Sequence, residues 1–141
     1  MKETKYIPGD LVMFKNPFEP SDTCVGIVKF LGNISDIILL CPYTNLNLEY
    51  FIKVENIQGI PITPEILEKK GWKRTQIFID DDGLEFHTYI DDESCLDLQY
   101  YPQYKKFAAF ICKQEVLSDI EYVHQLQHLL FGLGINHEME V

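Results

Sequence analysis

No run of apolar residues in this chain approaches the roughly 20 that a membrane-spanning helix needs, so no transmembrane segment is expected. The opening Met1-Lys2-Glu3-Thr4-Lys5 is polar and leads straight towards a strand, unlike a secretory signal, and the expected location is the cytoplasm. Cysteine is sparse. Cys24, Cys41, Cys95 and Cys112 are dispersed, with no two at metal-ligand spacing. With 46% hydrophobic residues the chain has core enough to fold without disulfides, so four reduced thiols are expected. Cys112, closing the run Phe107-Ala108-Ala109-Phe110-Ile111-Cys112, reads as a buried small hydrophobe. Nucleophile elbows, phosphate-binding loops and dinucleotide glycine fingerprints are missing too. These absences favour a non-enzymatic protein with no catalytic residue and no cofactor.

Basic charge is scarce in one stretch above all. Between Arg74 and Lys105 no basic residue occurs, while Asp80, Asp81, Asp82, Glu85, Asp91, Asp92, Glu93 and Asp97 are acidic. Residues 1–60 hold 5 Lys/Arg against 7 Asp/Glu, and residues 61–141 hold 7 against 15, so the second half carries most of the net charge of −10. Such a surface repels phosphate backbones, so direct nucleic-acid binding is not expected, and an acidic mimic of nucleic acid is the alternative such a surface offers.

What is present is a β-rich first half and a mixed second half. Runs at 11–14, 24–31, 37–41, 49–54 and 57–60, separated by Gly, Pro and Asn, predict a small antiparallel barrel over residues 1–60. The opening Gly9-Asp10-Leu11-Val12 followed by Val25-Gly26-Ile27-Val28 is SH3-like in pattern, which implies no ligand. Thr63 as N-cap, Pro64 at the first helical position and Gly71 after Lys69-Lys70 predict a helix over 64–70, with Trp72 as an anchor beyond it. Strands are expected at about 76–79, 84–90, 95–101 and 106–112, with Asp82-Gly83 as a two-residue hairpin turn. A C-terminal helix is expected over 118–133, capped by Ser118, covering this four-stranded sheet. The whole is α+β, with subdomains 1–60 and 61–141.

Three clusters carry candidate chemistry. His124 and His128 lie four residues apart on the C-terminal helix and form a weak candidate metal pair. In the His-Glu-x-x-His pattern of zinc peptidases a Glu acts as base, but here that position is Gln125, whose amide cannot take a proton. A further ligand would have to come from Glu121, His137 or Glu138. On the helical wheel, Ile120, Val123, Leu126, Leu130 and Leu133 share one arc and the two histidines fall beside it, at the boundary or on the solvent face. The turn Asp80-Asp81-Asp82-Gly83 has the beginning of a calcium loop, yet Tyr89 stands where the sixth residue after the glycine should be Glu. The usual reading of such an acidic turn is a solvated loop that keeps the protein soluble; the sharper one is an acidic surface, extended by Asp91 and Asp92, that meets a basic partner. Tyr100 and Tyr101, in the run Tyr100-Tyr101-Pro102-Gln103-Tyr104, read first as core or edge packing that closes a small sheet, and otherwise as an interface that offers contact area at low entropic cost.

Ile60-Pro61-Ile62-Thr63-Pro64-Glu65-Ile66-Leu67-Glu68-Lys69-Lys70-Gly71-Trp72 resembles a linker-helix of small proteins from phages, prophages and conjugative elements of anaerobic gut bacteria. Tyr122-Val123-His124-Gln125-Leu126-Gln127-His128 resembles their C-terminal helix, and Gly9-Asp10-Leu11-Val12 their opening strand. That family has no assigned activity, so no site residue is carried over. The resemblance implies a mobile-element accessory protein expressed in the cytoplasm of a bacterial host cell.

The expected function is therefore a protein-binding module that engages a host or phage protein through Asp80, Asp81, Asp82, Asp91, Asp92, Tyr100 and Tyr101. Alternatives are a small-ligand, nucleotide-type sequestering protein and a metal binder using His124 and His128. The sequence leaves the oligomeric state open.

Overall fold

The computed structural model describes residues 6–19, 21–31, 37–91 and 94–141. Among the described residues it is an α+β molecule, mostly β, with two helices and a curled, barrel-like antiparallel sheet. Contacts divide the chain into two compact units, Met1–Ile60 and Pro61–Val141. No helix among the described residues is long and apolar enough to cross a membrane.

The first unit is one five-stranded antiparallel sheet. β1 (Leu11–Lys15), β2 (Thr23–Leu31), β3 (Ile37–Pro42), β4 (Tyr50–Lys53) and β5 (Ile57–Gly59) lie in the order β4-β3-β2-β1-β5. A single 3₁₀ turn, Val54–Asn56, joins β4 to β5. Alternation along the strands sends Val12, Phe14, Val28, Ile38, Leu40 and Ile52 inward, where Tyr6 and Ile57 complete the core. Gly26 is required by that packing. A Cβ built on it would lie 2.7 Å from the Phe14 ring, so only glycine lets the ring settle against β2. Asp10 is buried and closes the turn before β1, its carboxylate accepting from Ile7 N at 2.8 Å. Residues 32–36, between the second and third of the expected runs, lie outside the described residues.

The second unit opens with α1 (Pro64–Lys70). Thr63 Oγ1 accepts from Ile66 N, and Gly71, at φ 113°, donates to Leu67 O and Glu68 O. Ile66 and Leu67 are buried, and Trp72, 1% exposed, donates from Nε1 to Leu96 O at 3.2 Å. A five-stranded meander follows: β6 (Lys73–Ile79), β7 (Glu85–Ile90), β8 (Leu96–Tyr101), β9 (Lys106–Ile111) and β10 (Gln114–Ile120), each paired with the next. α2 (Val123–Gly132) comes last. Tyr89, Leu96, Leu98, Phe107, Ala109, Ile120, Val123, Leu126 and Leu130 form the buried side of this unit.

Three expectations need correction here. The four-stranded sheet has a fifth strand, because 114–120 pairs with β9 and does not begin a helix at Ser118. Cys112 and Lys113 both take positive φ, 50° and 68°, and make the two-residue turn whose twist suits a hairpin. Neither residue is the Asn or Gly that announces such a turn. Asp119, at φ 60°, then breaks the register, and the helix starts only at Val123. Gln125 sets that start: its Oε1 accepts from Glu121 N at 2.8 Å and Tyr122 N at 3.0 Å, satisfying donors ahead of the helix. Second, Cys112 is exposed, since it lies in the turn and not in the strand. All four cysteines are free, with Cys41 buried and Cys24 partly so. Third, the 80–84 hairpin has a three-residue loop. Asp80 N donates to Leu84 O, Gly83 takes φ 82°, and Asp80 Oδ1 accepts from Asp82 N and Leu84 N.

The C-terminal residues are tied down. Gln127 Nε2 donates to His137 O at 3.1 Å, Lys70 Nζ donates to Glu138 O at 2.6 Å, and Met139 is buried. Desolvation pulls the Lys70 ammonium below its ordinary pKa, against the opposing pull of Glu138 and Asp91.

Candidate binding surface

The period of two along the second sheet separates its side chains into a covered face and an open one. Tyr89, Leu98 and Phe107 lie on the covered face. Tyr100 joins them, stacked on Phe107 with ring centroids 4.6 Å apart and set against the His87 ring. Tyr101, the next residue, must point the other way. The adjacent tyrosines thus do different work: Tyr100 closes the core and Tyr101 faces outward.

On the open face a row of rings crosses three strands. Phe78 on β6 is the register partner of Phe86 on β7, and their rings stack at 5.3 Å and 20°. Phe86 meets Tyr101 on β8 at 5.6 Å. Phe78 is 42% exposed, and its neighbours Ile77 and Ile79 are exposed as well. Beyond Tyr101 the row ends in a pocket of about 340 Å³ lined by Tyr101, Tyr104, Lys106, Ala108, Glu115 and Asp119, among others. The loop carrying Tyr104 is fixed by Gln103, whose carboxamide, turned with its nitrogen towards Glu85 O and its oxygen towards Glu85 N, pairs at 3.1 Å with each.

Carboxylates surround this end of the row. Burial, then the negative fields of Asp80 and Glu115, push the Tyr101 phenol above its ordinary pKa. Lys106, on the pocket wall, has its ammonium 3.4 Å from Glu121 and 3.9 Å from Asp119, so its charge is already matched. The pocket therefore offers ring faces and carboxylates, a combination that attracts a cationic side chain by cation–π and Coulomb terms together.

The residues expected to form one surface are divided. Asp80, Asp81 and Asp82 lie in the loop joining β6 to β7, at the Tyr101 end of the sheet, though Asp80 spends its carboxylate on closing the loop. Asp91 lies past the far end of β7, where it accepts from Ser94 Oγ at 3.0 Å and comes close to Gly71 and Lys70. Six strand residues separate the two groups, on the order of 20 Å. Asp92 lies outside the described residues. Phe78, Phe86, Tyr104 and Glu115 belong to the surface but were not singled out. The first two could have been found by pairing the strands through a three-residue loop, which sets Phe78 opposite Phe86.

The histidine pair is placed differently from expectation. His124 is 3% exposed and so is neither at the boundary nor on the solvent face. Ile120 has left the helical arc for β10, and Leu133 is exposed beyond the helix end. The wheel considers only the sheet side, whereas the Tyr122 ring stacks on His124 at 5.8 Å and the C-terminal residues run along the Gln127 and Phe131 flank. His128 is half-buried, edge-on to His124 at 5.7 Å between ring centroids. Of the further ligands considered, Glu121 is engaged with Lys106 and His137 packs edge-on to Phe131. Among the described residues no three His, Cys, Asp or Glu side chains come together as a metal site. Comparison of this chain with protein-family models, with curated proteins and with solved structures finds no match in any of the three.

Proposed function

We propose that this chain is a non-enzymatic protein-binding module, an accessory of a phage or mobile element, that docks a basic segment of a host or phage protein on the open face of its second unit. The observation that carries this reading is the convergence at Tyr101, where an aromatic row, a pocket and the carboxylates of Asp80 and Glu115 meet. The rings would supply apolar area, and an Arg or Lys of the partner would enter the pocket, where Tyr101, Tyr104 and Glu115 favour positive charge. For the first unit, the strand order with a 3₁₀ turn between β4 and β5 supports an SH3-like reading of the barrel. That likeness bears on architecture alone.

A nucleotide-type ligand is less well served, because its phosphates would lie beside Glu115 and Asp119 while Lys106 is already paired. The test is an array of basic, neutral and acidic peptides probed with wild type, Tyr101→Ala and Glu115→Gln. Selective, salt-sensitive capture of basic peptides, reduced at least about tenfold by either substitution, is the expected result; tenfold corresponds to 1.4 kcal/mol. Capture indifferent to peptide charge, or unchanged by both substitutions, would overturn the reading.

A further inference from the structure

Each sheet ends in two edge strands, and an edge strand offers unpaired backbone N–H and C=O groups to any extended chain. Three of the four edges are blunted. β4 has four residues and β5 three, while β10 carries two register shifts and the positive-φ Asp119. β6 differs. It runs for seven residues, every one exposed, and among the described strands it pairs with β7 alone. Its single irregularity lies between Arg74 and Gln76, so residues 76–79 form a regular, largely apolar stretch ending Ile77-Phe78-Ile79.

The charges flanking that stretch are opposite. Lys73 and Arg74 precede it, and Asp80, Asp81 and Asp82 follow it. An antiparallel strand of the same sequence would place its own acidic end beside Lys73 and Arg74, and its basic end beside the aspartates. The edge is thus complementary to a copy of itself.

We propose that two copies of this chain associate through antiparallel pairing of β6 with β6, centred within residues 76–79, to form a continuous ten-stranded sheet. The interface is isologous, so each favourable contact occurs twice about a two-fold axis. Because that axis stands normal to the sheet, both aromatic rows come to the same face and meet at the two Phe78 rings. Backbone pairing supplies the affinity, Ile77 and Ile79 cover one another across the junction, and the end charges set direction and register. The inference rests on the edge strand and not on the pocket at Tyr101, and either can fail without the other.

The test is solution mass by sedimentation and light scattering across a broad dilution series. Wild type should pass from one chain mass to twice that mass as concentration rises. Lys73→Glu/Arg74→Glu and Asp81→Lys/Asp82→Lys should each stay at one chain mass, since each places like charges at both ends of the junction. Asp80 is left intact because its carboxylate closes the hairpin loop. Mixed in equal amounts, the two variants should form a heterodimer, because every end contact is then attractive. An Ile77→Lys/Ile79→Lys variant, folded by circular dichroism and Trp72 fluorescence, should also stay monomeric. A wild type that is monomeric throughout, a dimer that survives both charge reversals, or reversed variants that do not pair with each other would overturn the proposal.

Discussion

The two sheets of this protein, each five-stranded among the described residues, treat their surfaces differently. In the first unit the edges are three or four residues long, and Phe14, Val28, Leu40 and Ile52 turn inward from four of the five strands. In the second, one face is covered while the other carries Phe78, Phe86 and Tyr101 in contact with one another beside a fully exposed edge strand. Of the first sheet's aromatic residues, Phe14 is buried, Tyr50 half-buried and Phe51 exposed. The second keeps a row of them outside, and apolar side chains left outside in a connected group mark an interaction surface more often than isolated ones do.

The largest test of this contrast compares a core ring with a surface ring. Phe14→Ala should cost about 3–5 kcal/mol in urea unfolding followed by circular dichroism, from lost burial and the cavity left behind. Gly26→Ala comes next: its methyl meets the Phe14 ring at 2.7 Å, and such overpacking should cost about 1–3 kcal/mol. Phe78→Ala, on the open face, should cost about 1 kcal/mol or less, since one stacked pair is lost from a partly exposed site. If Phe78→Ala destabilised as much as Phe14→Ala, the open face would be core and the contrast would collapse.

The smallest effect is alkaline. Burial, chiefly, raises the Tyr89 and Tyr101 phenols above 10.0. The folded state then holds these protons to higher pH than the unfolded chain, so their contribution is complete below about pH 10 and is lost as pH rises through the folded values. Lys70 acts in the opposite sense. Its lowered folded pKa makes stability rise with pH below its ordinary 10.5. Denaturant midpoints measured through the alkaline range should therefore fall less steeply for Tyr101→Phe than for wild type.

Where local signals are self-contained, the sequence is a sufficient guide. α1 is bounded by Thr63, Pro64 and Gly71, each of which acts within a turn of its own position, and the helix has those bounds. Where the signal depends on register, a one-residue difference changes the answer. Asp82-Gly83 invites a two-residue loop, but Asp80 closes a three-residue one, and the shift decides which residue of β6 faces Phe86. The turn at Cys112 and Lys113 carries no compositional sign at all, so Glu115, on which the pocket depends, falls between the strand expected over 106–112 and the helix expected from Ser118, and only the end of β10 overlaps that helix.

Sequence by itself determined the α+β class, the capped α1, the acidic bias of residues 61–141 and the missing catalytic motifs, because each follows from composition or from residues a few positions apart. Only tertiary structure decided that Tyr100 turns inward and Tyr101 outward, that Asp91 is remote from Asp80, and that His124 is buried. Those outcomes depend on strand pairing and on which segment covers which flank. Both are settled by contacts between residues far apart in the chain, where no local preference reaches.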